Sequence, residues 1–105
     1  MSDACVLGVD PSLTGFAAYE LGSDTLFELA TKPKDFSCFP ARLEHILRAF
    51  TEFLADIPHP DLAAIEGMSM GSKSGSKSIE MGAVHQIARL ALWRAGIDYV
   101  EVPPS

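Results

Sequence analysis

A chain of 105 residues with 48% hydrophobic content and a mean hydropathy of +0.17 is sized for one small globular domain with a modest core. No apolar run reaches membrane-spanning length, the first residues lack the basic region of a signal peptide, and Cys5 and Cys38 form neither a disulfide framework nor a CxxC pair. Reduced thiols in a cytoplasmic protein with no membrane partner are therefore expected. The net charge of −6 argues against a polyanionic partner only on average. Between Gly67 and Ile97, Lys73, Lys77, Arg89 and Arg94 stand against Glu80 alone, and local sign matters more than the total for a binding face.

The first expected strand runs from about Ala4 to Asp10, and Pro11 to Gly15 form a turn with φ fixed by the proline. Phe16 to Leu21 and Thr25 to Thr31 read as a second and third strand across a tight Gly22-Ser23-Asp24 turn, so these three make an antiparallel meander. A loop from Lys32 to Phe39 leads to Pro40, suited to a first helical position. Leu43, Ile46, Leu47, Phe50, Leu54 and Ile57 then follow helical spacing until Pro58. Leu62 to Ile65 is a short apolar strand that ends on Glu66. A loop of Gly, Ser, Met and Lys precedes a long helix, about Ser76 to Ala95, stopped by Gly96, and Tyr99 to Val102 is the last strand.

This order predicts an α/β fold. A helical crossover makes the first and fourth strands parallel neighbours, which brings Asp10 and Glu66 to adjacent carboxyl ends, where open α/β sheets place ligands. Two carboxylates about 4.8 Å apart repel each other unless a cation bridges them. Mg²⁺, a hard ion served by one or two carboxylates plus water and phosphate, suits that position. The plainer alternative is that Asp10 caps the turn before Pro11. His45, His59 and His85 show no ligand spacing and read as solvated or packed, and Asp98 and Glu101 look peripheral to the acid pair. The long helix carries apolar residues on more than one side. One side packs on the sheet; the other is a dimer seam or packs on further helices.

The segments LGVDPSLTGFAAYE, LAAIEGM, MGAVHQIARLALWRAG with the Ser/Lys loop before it, and IDYVEVPPS together resemble the RuvC-type Holliday junction resolvases of the ribonuclease-H-like superfamily, especially the compact bacteriophage forms. The resemblance covers nearly all of the chain. It implies a mixed five-stranded sheet, three antiparallel strands followed by two parallel ones, with helices packed on it. It further implies a Mg²⁺-dependent endodeoxyribonuclease of DNA recombination and repair. Such an enzyme cuts branched DNA, four-way junctions above all, as a homodimer through the second helix, by two-metal phosphodiester hydrolysis with Mn²⁺ as a substitute. Asp10 and Glu66 take the catalytic and metal-ligand roles. Lys73 and Lys77, beside that acid pair, read as phosphate contacts, with Ser72, Ser76 and Met70 as their DNA-binding neighbours; the plainer alternative is that the two lysines only keep the loop soluble.

Family members continue past the fifth strand into helices that carry a further pair of acidic or His ligands. Residues 1–105 are accordingly read as a single nuclease domain truncated at its C-terminus and weak or inactive alone. The family's aromatic after the fourth-strand acid is replaced here by Met68, Ser69 and Met70. Two other readings stay open: a non-catalytic or degenerate nucleic-acid-binding module, and an actin-like ATPase fragment, against which the bulky Pro11-Ser12-Leu13-Thr14 stretch speaks.

Overall fold

The computed structural model describes residues 5–67 and 75–103, the side chains of 75–78 excepted. Its elements follow the order β1 (Val6–Asp10), β2 (Phe16–Glu20), β3 (Thr25–Leu29), α1 (Phe39–Asp56), β4 (Leu62–Glu66), α2 (Gly75–Arg94) and β5 (Tyr99–Val102), with a 3₁₀ turn at Pro33–Asp35. The five strands form one sheet in the order β3-β2-β1-β4-β5. Two antiparallel pairings join β1, β2 and β3, whereas β1–β4 and β4–β5 are parallel, as a helical crossover requires.

Side-chain alternation separates the two faces of this sheet. Leu7, Val9, Phe16, Ala18, Ala63 and Ile65 are buried beneath both helices. From α1 they meet Ile46, Phe50 and Leu54, and from α2 Val84, Ala88, Ala91 and Leu92, each set repeating at helical spacing. An aromatic group fastens α1 to the meander: Phe50 lies 4.9 Å from Phe16 and 5.8 Å from Phe27 between ring centroids. The opposite face has no helix over it among the described residues. Tyr19 and Leu26 are exposed there, beside the small residues Gly8, Ala17 and Ala64.

The helix ends have local causes. Ile57 takes an extended conformation ahead of Pro58, which disfavours the helical region for the residue before it. Past α2, Gly96 adopts φ +73°, and its N–H donates to the Trp93 carbonyl while Ile97 N–H reaches the Leu92 carbonyl. That pair of bonds is the glycine-dependent C-cap, sealed by the burial of Ile97 and Leu92.

Where the boundaries depart from expectation, buried polar side chains are responsible. The third strand stops at Leu29 rather than Thr31, because Thr31 turns inward. Its hydroxyl donates to the Leu13 carbonyl, and Arg42 of α1 donates to the Thr31 hydroxyl, to the Thr31 carbonyl and to the Leu13 carbonyl. β2 stops at Glu20 rather than Leu21, since the Glu20 carboxylate, fully buried, gathers the N–H groups of Gly22 and Ser23 and thereby forms the turn. Asp24 takes positive φ within that turn, a conformation its short polar side chain tolerates.

Candidate functional site

Asp10 and Glu66 are the last residues of β1 and β4. The parallel register pairs Gly8 with Ala64 and Val9 with Ile65, so the next step along both strands sets Asp10 beside Glu66. In each strand the residue before the acid is buried in the core and the acid itself is exposed. Alternation therefore directs both carboxylates to the sheet face that no helix among the described residues covers. They line one shallow concavity of about 500 Å³, floored by Gly8, Ala17 and Ala64 and bounded by Tyr19 and Val102. Small floor residues leave room beside the acids for something larger than water.

The turn after Asp10 does not need its carboxylate. Ser12 closes it, its Oγ accepting the Gly15 N–H at 3.3 Å. The first side of the turn is anchored from below, where Leu13 is buried and its carbonyl is held by Thr31 and Arg42. The strand end that carries Asp10 is thus fixed by groups other than Asp10, leaving the carboxylate available for a ligand. Two hard oxygen donors on adjacent strand ends fit a divalent cation that keeps several waters. Among the described residues no group of three or more His, Cys, Asp or Glu side chains is close enough to hold a metal. These two acids are therefore a pair without a third protein ligand there.

Of the expected DNA contacts, Met70, Ser72 and Lys73 lie outside the described residues, and Ser76 and Lys77 fall in the first turn of α2 without described side chains. Three features were not legible as functional. His85 is 3% exposed, packed under the sheet end as one of the two readings of the histidines held, yet its Nδ1 has no hydrogen-bond partner. Burial, and then the charge of Arg89, hold its imidazole below the usual histidine range, while the carboxylates of Glu101 and Asp10 pull the other way. Glu101, on the last strand, pairs with Arg89 of α2. At the far end of the sheet, Glu20 accepts from the Cys5 thiol at 2.8 Å and from the Ser23 hydroxyl at 2.6 Å. A signal existed for one of these, since Glu20 shares the parity of Phe16 and Ala18 in its strand; the buried Arg42 of α1 is likewise in step with Ile46, Phe50 and Leu54.

No family model matches the chain, and no curated protein matches it by sequence. Among solved structures, Thermus thermophilus RuvC in complex with Holliday junction substrate matches with a TM-score of 0.78 at 19% sequence identity, covering 97% of this chain and 66% of that one. The chain has the RuvC fold. A Thermus thermophilus RuvC structure gives a TM-score of 0.72, also at 19% identity, over 95% of this chain and 64% of that one. The chain spans about two thirds of the length of these RuvC chains. Likeness at this identity is a likeness of fold: the ribonuclease-H-like sheet with its helices is as the sequence resemblance implied. No helix among the described residues is long and apolar enough to cross a membrane.

Proposed function

We propose that the chain is the nuclease domain of a structure-selective endonuclease that cuts branched DNA, four-way junctions above all, with Mg²⁺ held between Asp10 and Glu66. The observation that carries this reading is the pairing of two exposed carboxylates on adjacent parallel strand ends of a RuvC fold. Asp10 and Glu66 bind the cation and, by their fixed strand positions, set where a phosphodiester must sit to reach it. Mg²⁺, when bound, supplies charge to the phosphodiester oxygens and lowers the cost of making a nucleophile from water. Buried Arg42 and Thr31 keep the strand end from moving under that load. Lys73 and Lys77 are proposed to contact phosphates, and Ser72, Ser76 and Met70 to flank them.

A dimer through α2 is part of the same reading. Trp93 at 73% and Ile79 at 74% exposure, with Leu90 beside the same flank, leave an apolar side of α2 uncovered. A two-fold partner would bury it and give a symmetric junction two equivalent sites. With only two candidate ligands among the described residues, the 105-residue chain is expected to bind branched DNA and cut it weakly or not at all. The test is cleavage of an end-labelled four-way junction against a linear duplex of equal length, with Mg²⁺ and with EDTA. Metal-dependent nicking or selective retention of the junction supports the proposal. Equal, weak binding of both substrates without any metal-dependent cut overturns it.

A further inference from the structure

We propose that the outer edge of β5 pairs with the same edge of a second copy of this chain, so that the sheet runs on across a two-fold axis. This rests on the reading of a dimer through α2 and states what the strands beneath that helix do. β5 ends the sheet order, and among the described residues its only strand partner is β4. The Ala63 N–H donates to the Asp98 carbonyl at 2.8 Å, and the Gly67 N–H to the Val102 carbonyl at 2.7 Å. Along a strand the N–H and C=O of one residue point the same way, and successive residues alternate. The backbone of Asp98, Val100 and Val102 therefore faces β4, while that of Tyr99 and Glu101 faces outward, where no described strand meets it. Such an edge is a template for another strand.

The side chains of β5 fit a second copy of themselves. An antiparallel pairing centred on Val100 overlaps the whole strand and sets Tyr99 opposite the partner's Glu101, and Glu101 opposite the partner's Tyr99. Each of these pairs exchanges both of its backbone bonds. Val100 then meets the partner's Val100, and Asp98 the partner's Val102. No acid stands opposite an acid, and the charge of Glu101 is already matched by Arg89. A pairing centred on Glu101 would instead oppose the two carboxylates. Tyr99, Val100 and Val102 are exposed strand formers, and within β5 there is no lysine or proline to blunt the edge. Tyr99 also shares a hollow with Trp93 and Gly96, so the β5 edge and the uncovered flank of α2 form one surface. Trp93 adds the apolar area that a short strand lacks by itself. The axis stands normal to the sheet, which brings both Asp10–Glu66 pairs to one face of it. With strands about 4.8 Å apart and about 3.3 Å of rise per residue, the two acid pairs lie roughly 20–25 Å from each other.

The 105-residue chain is measured by sedimentation equilibrium, and amide exchange at Tyr99 and Glu101 is followed by NMR above and below the concentration of dimerisation. In the dimer these two amides should exchange at least about tenfold more slowly than in the monomer. Val100→Lys sets like charges opposite each other on the axis, and Val100→Glu does so with the other sign. The Val100 side chain is 47% exposed, so both variants should keep the wild-type circular dichroism spectrum. Each alone should weaken the dimer about tenfold, through the lost valine contact and the like charges, and an equal mixture of the two should restore it. A merely structural Val100 cannot be rescued in that way. If either variant fails to fold, amide exchange in the wild type decides alone. If wild type dimerises while its Tyr99 and Glu101 amides exchange freely, or if the mixture of folded variants stays dissociated, the strand pairing is wrong. Loss of the dimer in Trp93→Ala then leaves the α2 reading standing. If wild type stays monomeric up to millimolar concentration, the dimer reading falls and the strand pairing falls with it.

Discussion

Replacing Phe50 by alanine tests whether the aromatic group beneath the meander holds α1 to the sheet. Phe50 is fully buried, with ring centroids 4.9 Å from Phe16, 5.8 Å from Phe27 and 6.3 Å from Phe53. A Phe→Ala truncation in a packed core costs about 3–5 kcal/mol. Aromatic pairs add roughly 0.5–1.5 kcal/mol each beyond their buried area, so three neighbours place Phe50→Ala near the upper end of that range. A domain this size has a total stability of about 5–15 kcal/mol, so the variant should lose between about a third of it and all of it. Phe50→Leu, which keeps most of the apolar volume, should cost less than half as much. Urea unfolding followed by circular dichroism gives both values from the shift in midpoint at constant slope. A cost below about 2 kcal/mol for Phe50→Ala would refute the reasoning, because neither the lost transfer energy nor the cavity would then be present.

Three further outcomes follow from the polar interior. Hydrogen bonds from the Cys5 thiol, then from Ser23, hold Glu20 down to about 2 from an ordinary 4.5. Its stabilisation is complete above about 4.5 and is lost as pH falls through about 2, so the stability gap between wild type and Glu20→Gln should close across that window; a constant gap contradicts the assignment. Cys5 is pushed up to about 11, chiefly by its hydrogen bond to Glu20, whereas Cys38 is exposed, so iodoacetamide at mildly alkaline pH should label Cys38 first by mass spectrometry. Arg42→Lys keeps a buried charge but cannot span the Thr31 hydroxyl, the Thr31 carbonyl and the Leu13 carbonyl together, and should cost about 1–3 kcal/mol in chemical unfolding.

Periodicity and punctuation carried most of the architecture. The alternating apolar runs of β1 and β4, the stripe Ile46-Phe50-Leu54, and Gly96 past the second helix each produced the element they implied. The crossover rule then gave the parallel β1–β4 pairing, and with it the juxtaposition of Asp10 and Glu66. What stayed hidden depended on contacts between residues distant in sequence. Arg42 looks like a surface residue until Thr31 and Leu13, 11 and 29 residues earlier, supply its acceptors. Glu20 reads as the polar end of a strand, and only the folded turn shows that three residues donate to it. His85 carries no spacing signal at all, because its burial comes from the packing of its turn of α2 and the groove it lines is closed by Glu101, Val102 and Pro103, which lie well beyond it in sequence.

The claim on which the account rests is that Asp10 and Glu66 form one cation site. Mn²⁺ binding to the chain, measured by electron paramagnetic resonance of the free ion, tests it without requiring catalysis. Wild type should show one weak, saturable site, because two carboxylates leave most of the coordination shell to water. Asp10→Asn and Glu66→Gln should each abolish that site while the circular dichroism spectrum stays unchanged, since both side chains are exposed strand-end residues. Mn²⁺ binding of undiminished affinity in either variant would contradict the shared site.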